Sequence, residues 1–153
     1  MSPYDAIRAQ LGTAVPFATH TGVELTEVGD GHALARLPQT DHSINHIQTQ
    51  HAGALFTLGE AASGAAMAGA LAPVLLTVRP VAARAEIAYV AVARGTITAE
   101  AHTSEAGGAL LSRLEAEGRV RFDVDVSLRD EAQETVATMR VGWHVSRPRG
   151  DTA

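Results

Sequence analysis

The chain contains no cysteine, which excludes a disulfide framework, a thiolate nucleophile and a thiolate metal site. Basic residues are outnumbered 12 to 17, for a formal net charge of -5. That balance argues against a nucleic-acid partner, whose recognition favours a basic patch or stripe. The one local basic run, Arg147 to Arg149, lies in a Pro- and Gly-containing tail. No stretch of roughly 18 apolar residues runs free of charges or breakers, so no membrane partner is expected. The opening MSPYDAIRAQ carries an acidic residue and lacks a basic region followed by an apolar core, unlike a signal peptide. The expected location is the cytoplasm. A Walker-type phosphate loop and a Gly-x-Ser-x-Gly elbow are both missing. Aromatics make up only 4% while alanine is abundant, so helix packing must rest on close backbone approach rather than on large side chains.

A chain of 153 residues is long enough for one domain with a real core. The expected division is a single domain over 1–147 and a flexible tail over 148–153. Ser2-Pro3 followed by Ile7, Leu11 and Val15 predicts a helix over 3–15. From Thr21 to Leu37 the pattern is extended, interrupted at Gly29-Asp30-Gly31 as in a hairpin. A polar stretch from Pro38 to Gln50 leads into an apolar helix over 52–71, stopped by Pro73. Glu86–Ala93 and Thr96–Thr103 are expected to pair about Arg94-Gly95, and Ala106–Gly118 to form a loop with at most a helical turn at Leu110–Leu114. Arg119 to Leu128 alternates most clearly, with Val120, Phe122, Val124, Val126 and Leu128 on one face. Thr135–Val145 pairs with it, placing Ala137, Met139, Val141, Trp143 and Val145 inward. A long apolar helix against antiparallel strands is a two-layer α+β arrangement.

The stretch from Asn45 to Gly64, NHIQTQHAGALFTLGEAASG, carries one carboxylate, Glu60, in an otherwise apolar helix. At roughly 100° per residue Glu60 shares a stripe with Gly53, Phe56, Gly64 and Met67. A buried carboxylate is costly unless paired or hydrogen-bonded, so Glu60 is either answered by partners or there to do chemistry. The chemistry open to it is acyl transfer to water. Free N–H groups around His51 to Ala54 can receive charge developing on a carbonyl oxygen. Glu60 would activate water or attack directly, and Asn45 would hold the water or the carboxylate. His51 and Glu60 are about 13 Å apart along a helix, so a shared site needs two copies side by side. The other reading is that Asn45 and His51 cap the loop–helix junction while Glu60 pairs with Arg79 or Arg84. Spacings of four and five among His42, His46 and His51 match no established zinc pattern, and no metal is expected. His20, His32, His102 and His144 are expected to face solvent or to cap.

Asn45, His51-Ala52-Gly53-Ala54-Leu55, Leu58-Gly59-Glu60 and Gly64 resemble the signature of the hotdog-fold thioesterases. The segment is similar to the phenylacetate-pathway type and to its sister group of small DUF4442-type proteins. The phenylacetate type has two glycines after the His; Ala52 takes the first position here, as in the sister group. The resemblance implies a hotdog fold, a long central helix wrapped by a curved antiparallel sheet. It further implies subunits joined edge to edge as a homodimer, which can pair again into a homotetramer, and acyl-CoA thioesters bound at the interface. It implies that the Gly53 amide polarises the thioester carbonyl, Glu60 is the catalytic carboxylate, Asn45 assists, and His51 shapes the turn. Ala54, Phe56, Ser63, Met67 and Arg84 are the expected substrate contacts, with Arg79 and Arg113 as weaker ones. No cofactor is implied beyond the CoA thioester as substrate. An acyl-group binder without turnover is the alternative.

Overall fold

The computed structural model describes residues 1–148. Its first helix starts where the sequence offers a reciprocal cap: the Asp5 N–H donates to the Ser2 hydroxyl, and the Ser2 N–H to the Asp5 carboxylate, each at 3.1 Å. This is α1 (Pro3–Ala14). A second helix, α2 (Pro16–Thr21), follows on Pro16 and stops at Gly22, whose φ of 103° is left-handed. The predicted hairpin forms from β1 (Glu24–Gly29) and β2 (His32–Leu37). The long helix α3 (Ala52–Ala70) comes next, then a 3-10 turn at Ala72–Thr77 and strand β3 (Arg79–Tyr89). Strand β4 (Ile97–Thr103), helix α4 (Gly107–Glu117), β5 (Arg119–Arg129) and β6 (Thr135–Ser146) complete the chain.

The six strands make one antiparallel sheet in the order β1-β2-β4-β5-β6-β3. It wraps α3, giving the expected α+β hotdog architecture. Alternation works as the sequence predicts on β5 and β6. Val120, Phe122, Val124, Val126 and Leu128 are buried, as are Ala137, Met139, Val141, Trp143 and Val145. After Gly53 no residue of α3 is exposed, and its half-buried positions are Phe56, Glu60, Ala61 and Gly64.

Three expectations are corrected. Glu86–Ala93 does not pair with Thr96–Thr103: β3 lies at the sheet edge against β6, while β4 sits between β2 and β5. The connection spends its hydrogen bonds elsewhere. Val90 and Ala91 donate to the Val136 carbonyl, and Gly95 donates to Gln39 Oε1 at 2.7 Å and accepts from Gln50 Nε2 at 3.0 Å. Ala106–Gly118 is a three-turn helix rather than a loop, because Leu110 and Leu114 bury one face and Gly118, at φ 73°, caps its end. His144 is not solvent-facing, since its Nε2 is buried. The tail expected at 148–153 lies, beyond Pro148, outside the described residues. Arg147 in the basic run donates its N–H to the Gly118 carbonyl at 3.0 Å.

The glycines of α3 mark where the sheet comes close. A β-carbon at Gly69 would collide with the Gly29 carbonyl oxygen of β1, and one at Gly59 would sit 2.5 Å from Met139 Sδ. Thioether can move but strand backbone cannot. Gly69→Ala is therefore expected to destabilise by about 1–3 kcal/mol despite the higher helix propensity of alanine. Gly12→Ala, which meets open space, should be neutral or stabilising. Chemical denaturation of both variants checks the pair; a Gly69→Ala protein as stable as wild type would contradict this packing.

Candidate functional site

Glu60 sits on the half-buried stripe of α3 and faces a cavity of about 750 Å³. Ala61, Gly64, Met67 and Ala68 continue the wall along the helix, and Trp143 of β6 closes one side. The roof is apolar: Ile7 and Leu11 of α1, then Leu75 and Leu76 of the 3-10 turn. No side chain among the described residues donates to the Glu60 carboxylate, and burial alone pushes its pKa above the ordinary carboxylate value.

The ion pair that the other reading offers does not form among the described residues: neither Arg79 nor Arg84 makes a salt bridge to Glu60, and Arg84 is exposed on β3, 3.6 Å from Glu86. Arg113, a weaker expected substrate contact, bonds Glu105 and the Arg121 carbonyl instead. The capping half of that reading is present. His51 is the N-cap of α3, and its Nδ1 accepts the Gly53 N–H at 2.8 Å. Asn45 builds the preceding turn: its Oδ1 accepts the N–H groups of Ile47 and Thr49, and its Nδ2 donates to Thr49 Oγ1 at 2.8 Å. Gln50 then fastens the turn to the sheet, its Nε2 donating to the Leu37 and Gly95 carbonyls. Tyr89, at the end of β3, donates its hydroxyl to the Ala52 carbonyl at 2.9 Å.

Within one chain these groups form two clusters. Asn45, His51 and Gly53 meet at the helix start, and Glu60 stands about two turns further on, some 13 Å from His51. Of the five expected substrate contacts, Met67 lines the cavity and Ala54, Phe56, Ser63 and Arg84 do not. Ser63 is fully buried, donating to the Glu60 carbonyl at 2.7 Å and accepting from Trp143 Nε1 at 3.3 Å. The histidines of the Pro38–His51 segment do not converge: His51 caps, and His42 packs its ring 5.1 Å from that of His20. Among the described residues the group that does converge is His32, Glu100 and His102, on β2 and β4.

The sequence matches the family described as Domain of unknown function (DUF4442) over residues 5–145. The chain belongs to that family. No curated protein matches it. Among solved structures, a Pseudomonas aeruginosa protein of unknown function, named a probable thioesterase, is 24% identical. The match covers 96% of this chain and 97% of that one at a TM-score of 0.79. The PaaI protein of the Escherichia coli phenylacetic acid degradation operon is 20% identical over 97% and 95%, at 0.73. A Staphylococcus aureus thioesterase is 17% identical over 86% and 99%, at 0.71. At such identities the likeness establishes the hotdog fold.

What this DUF4442 member adds to the motif is the cavity beside it. Sequence reading picks out Ile7, Leu11 and Trp143 as apolar stripe residues but not the space they enclose with Glu60. No described helix is long and apolar enough to cross a membrane.

The unanswered Glu60 yields a stability prediction. Its folded-state pKa is raised, so its contribution favours folding at low pH and is lost as pH rises through the folded value. Glu60→Gln should therefore melt at or above the wild-type temperature at pH 7, with the gap closing as pH falls into the carboxylate range. Thermal melts across pH 4–8 check this. A clear loss of stability at pH 7 would mean that the carboxylate has a partner.

Proposed function

We propose that this protein hydrolyses an acyl thioester of the acyl-CoA type at a site completed by a second copy of the chain. The observation that carries the reading is Glu60, a carboxylate without a partner among the described residues on the wall of an apolar cavity, its pKa raised by burial. The cavity suits an acyl chain or aryl ring. Glu60 takes a proton from water as the water oxygen bonds to the thioester carbonyl carbon. Charge on the carbonyl oxygen is received by N–H groups at a helix start. The carbon–sulfur bond then breaks, and the thiolate leaves with the proton from Glu60. Thioesterase names among the similar structures support the reaction class.

The edge strand supports the second copy. One edge of β3 is unpaired, and Val81, Tyr89, Val90 and Val92 beside it expose apolar surface. Pro80, at the start of β3, lines the Glu60 cavity, and Tyr89, at its end, holds the helix start. Antiparallel pairing of β3 with its two-fold mate sets the Pro80 end of one protomer beside the Tyr89 end of the other. Each Glu60 cavity thereby gains a partner's helix start, and the two clusters separated within one chain become one site. This is the homodimer reading, and tetramers would add a further interface.

One observation favours the alternative of acyl binding without turnover: the Gly53 N–H is already held by His51 Nδ1. The N–H groups of Ala52 and Ala54 have no partner among the described residues, so the helix start keeps its dipole and two donors. Thiol release from a panel of aryl- and medium-chain acyl-CoAs separates the readings. Hydrolysis is expected, falling at least about 10²-fold in Glu60→Gln and less in Asn45→Ala, whose side chain shapes the turn. The wild-type rate should decline as pH drops through the raised pKa of Glu60. Saturable acyl-CoA binding with no thiol release from wild type would establish the binder instead.

A further inference from the structure

On the face of the sheet turned away from α3, two histidines and a carboxylate come together. His32 of β2 and His102 of β4 are directly opposed in the ladder, and Glu100 lies two residues before His102 on the same face. Their neighbours Ala33, Ala99 and Ala101 are wholly buried on the other face. The sheet therefore stands between this cluster and the Glu60 cavity. The imidazole rings lie 4.7 Å apart. Glu100 Oε1 is 2.9 Å from His102 Nε2 and 3.6 Å from His32 Nε2.

We propose that His32, Glu100 and His102 form a binding site for a divalent transition-metal ion, with Zn2+ the ion best suited to two imidazoles and one carboxylate. Ligand atoms about 2.0–2.1 Å from a tetrahedral zinc are about 3.3 Å from one another. The two measured separations straddle that value, and ligand atoms of all three residues lie within 4.8 Å of one another. The cluster also has the outer carboxylate that orients a metal-binding histidine. Glu27 Oε1 lies 3.5 Å from His32 Nδ1, and a proton held on that nitrogen would leave Nε2 free to bind the ion. His32, Glu100 and His102 are all partly solvent-accessible, at 26%, 41% and 58%. An ion can enter without crossing the core and keep water as its remaining ligand. Glu100 and His102 also border a polar groove of about 490 Å³ with Asp125, Ser127 and Arg129. Bound there, the ion would clip β2 to β4 on the outer face.

The test is calorimetric titration of ZnCl2 into tag-free, chelator-stripped full-length protein, with thermal melts alongside. One equivalent should bind, and the melting temperature should rise with zinc concentration by linkage. His32→Gln and His102→Gln should each weaken binding at least about tenfold, and His42→Ala should leave it unchanged. Zinc should also perturb the ring resonances of His32 and His102 in wild-type protein, a readout that needs no variant to fold. No heat and no thermal shift with zinc in large excess, or binding that survives in the two Gln variants, would overturn the assignment. So would ring perturbation confined to other histidines.

Discussion

Enclosure of α3 is the constraint on which the rest of the structure depends. A helix built from Ala, Gly, Leu and Met has no polar face to offer water, so sheet and helix must close around it. The sheet does so at very short range. The Gly29 carbonyl of β1 occupies the place of a side chain at Gly69, and Met139 of β6 occupies that at Gly59. Small residues cost helix propensity, roughly 0.5–1 kcal/mol for each glycine relative to alanine. The close approach of the sheet offsets that cost through buried contact.

The same economy in side-chain size creates the cavity. Where α3 lines the space under α1, most of its residues are small (Ala61, Gly64, Ala65 and Ala68, beside Glu60 and Met67), which leaves room below the roof formed by Ile7, Leu11, Leu75 and Leu76. The space is lined by apolar atoms, and the one carboxylate on its wall loses hydration without gaining a cation. Its raised pKa follows from that single fact. Packing and chemistry therefore share one origin: the stripe that the sheet does not cover is the stripe that carries Glu60.

Much of this was legible in the sequence, and the misses have physical causes. Strict alternation from Arg119 to Leu128 and from Thr135 to Val145 gave β5 and β6 with their buried faces, because a one-sided antiparallel strand has a period of two. The hairpin at Gly29-Asp30-Gly31 was legible from its glycines, Gly31 adopting φ 69°. The pairing of β3 was not, because nearness in sequence suggested Thr96–Thr103 while the ladder goes to β6, some fifty residues on. Helix α4 was hidden by the glycines at 107 and 108, which resemble a turn until Leu110 and Leu114 find the core. Around Glu60 the motif residues could be named, but not the bonds they make. The hold of His51 on the Gly53 N–H and the place of Ser63 against Trp143 depend on side-chain positions that spacing does not encode. The His32–Glu100–His102 cluster was invisible for a related reason, since it exists only once β2 and β4 are in register.

The central claim is that Glu60 and a partner's helix start make one site, and subunit complementation tests it most directly. Glu60→Gln removes the carboxylate. Gly53→Asp sets a negative charge where charge on the carbonyl oxygen would develop, while an acidic residue in the first turn still suits the helix. Each variant alone should be inactive on acyl-CoA. Co-expressed at equal levels they form half mixed dimers, in each of which one of the two sites has both Glu60 and an unaltered helix start. The account predicts about a quarter of wild-type thiol release from the mixture. Mixed dimers verified by mass spectrometry that remain as inactive as either parent would contradict it.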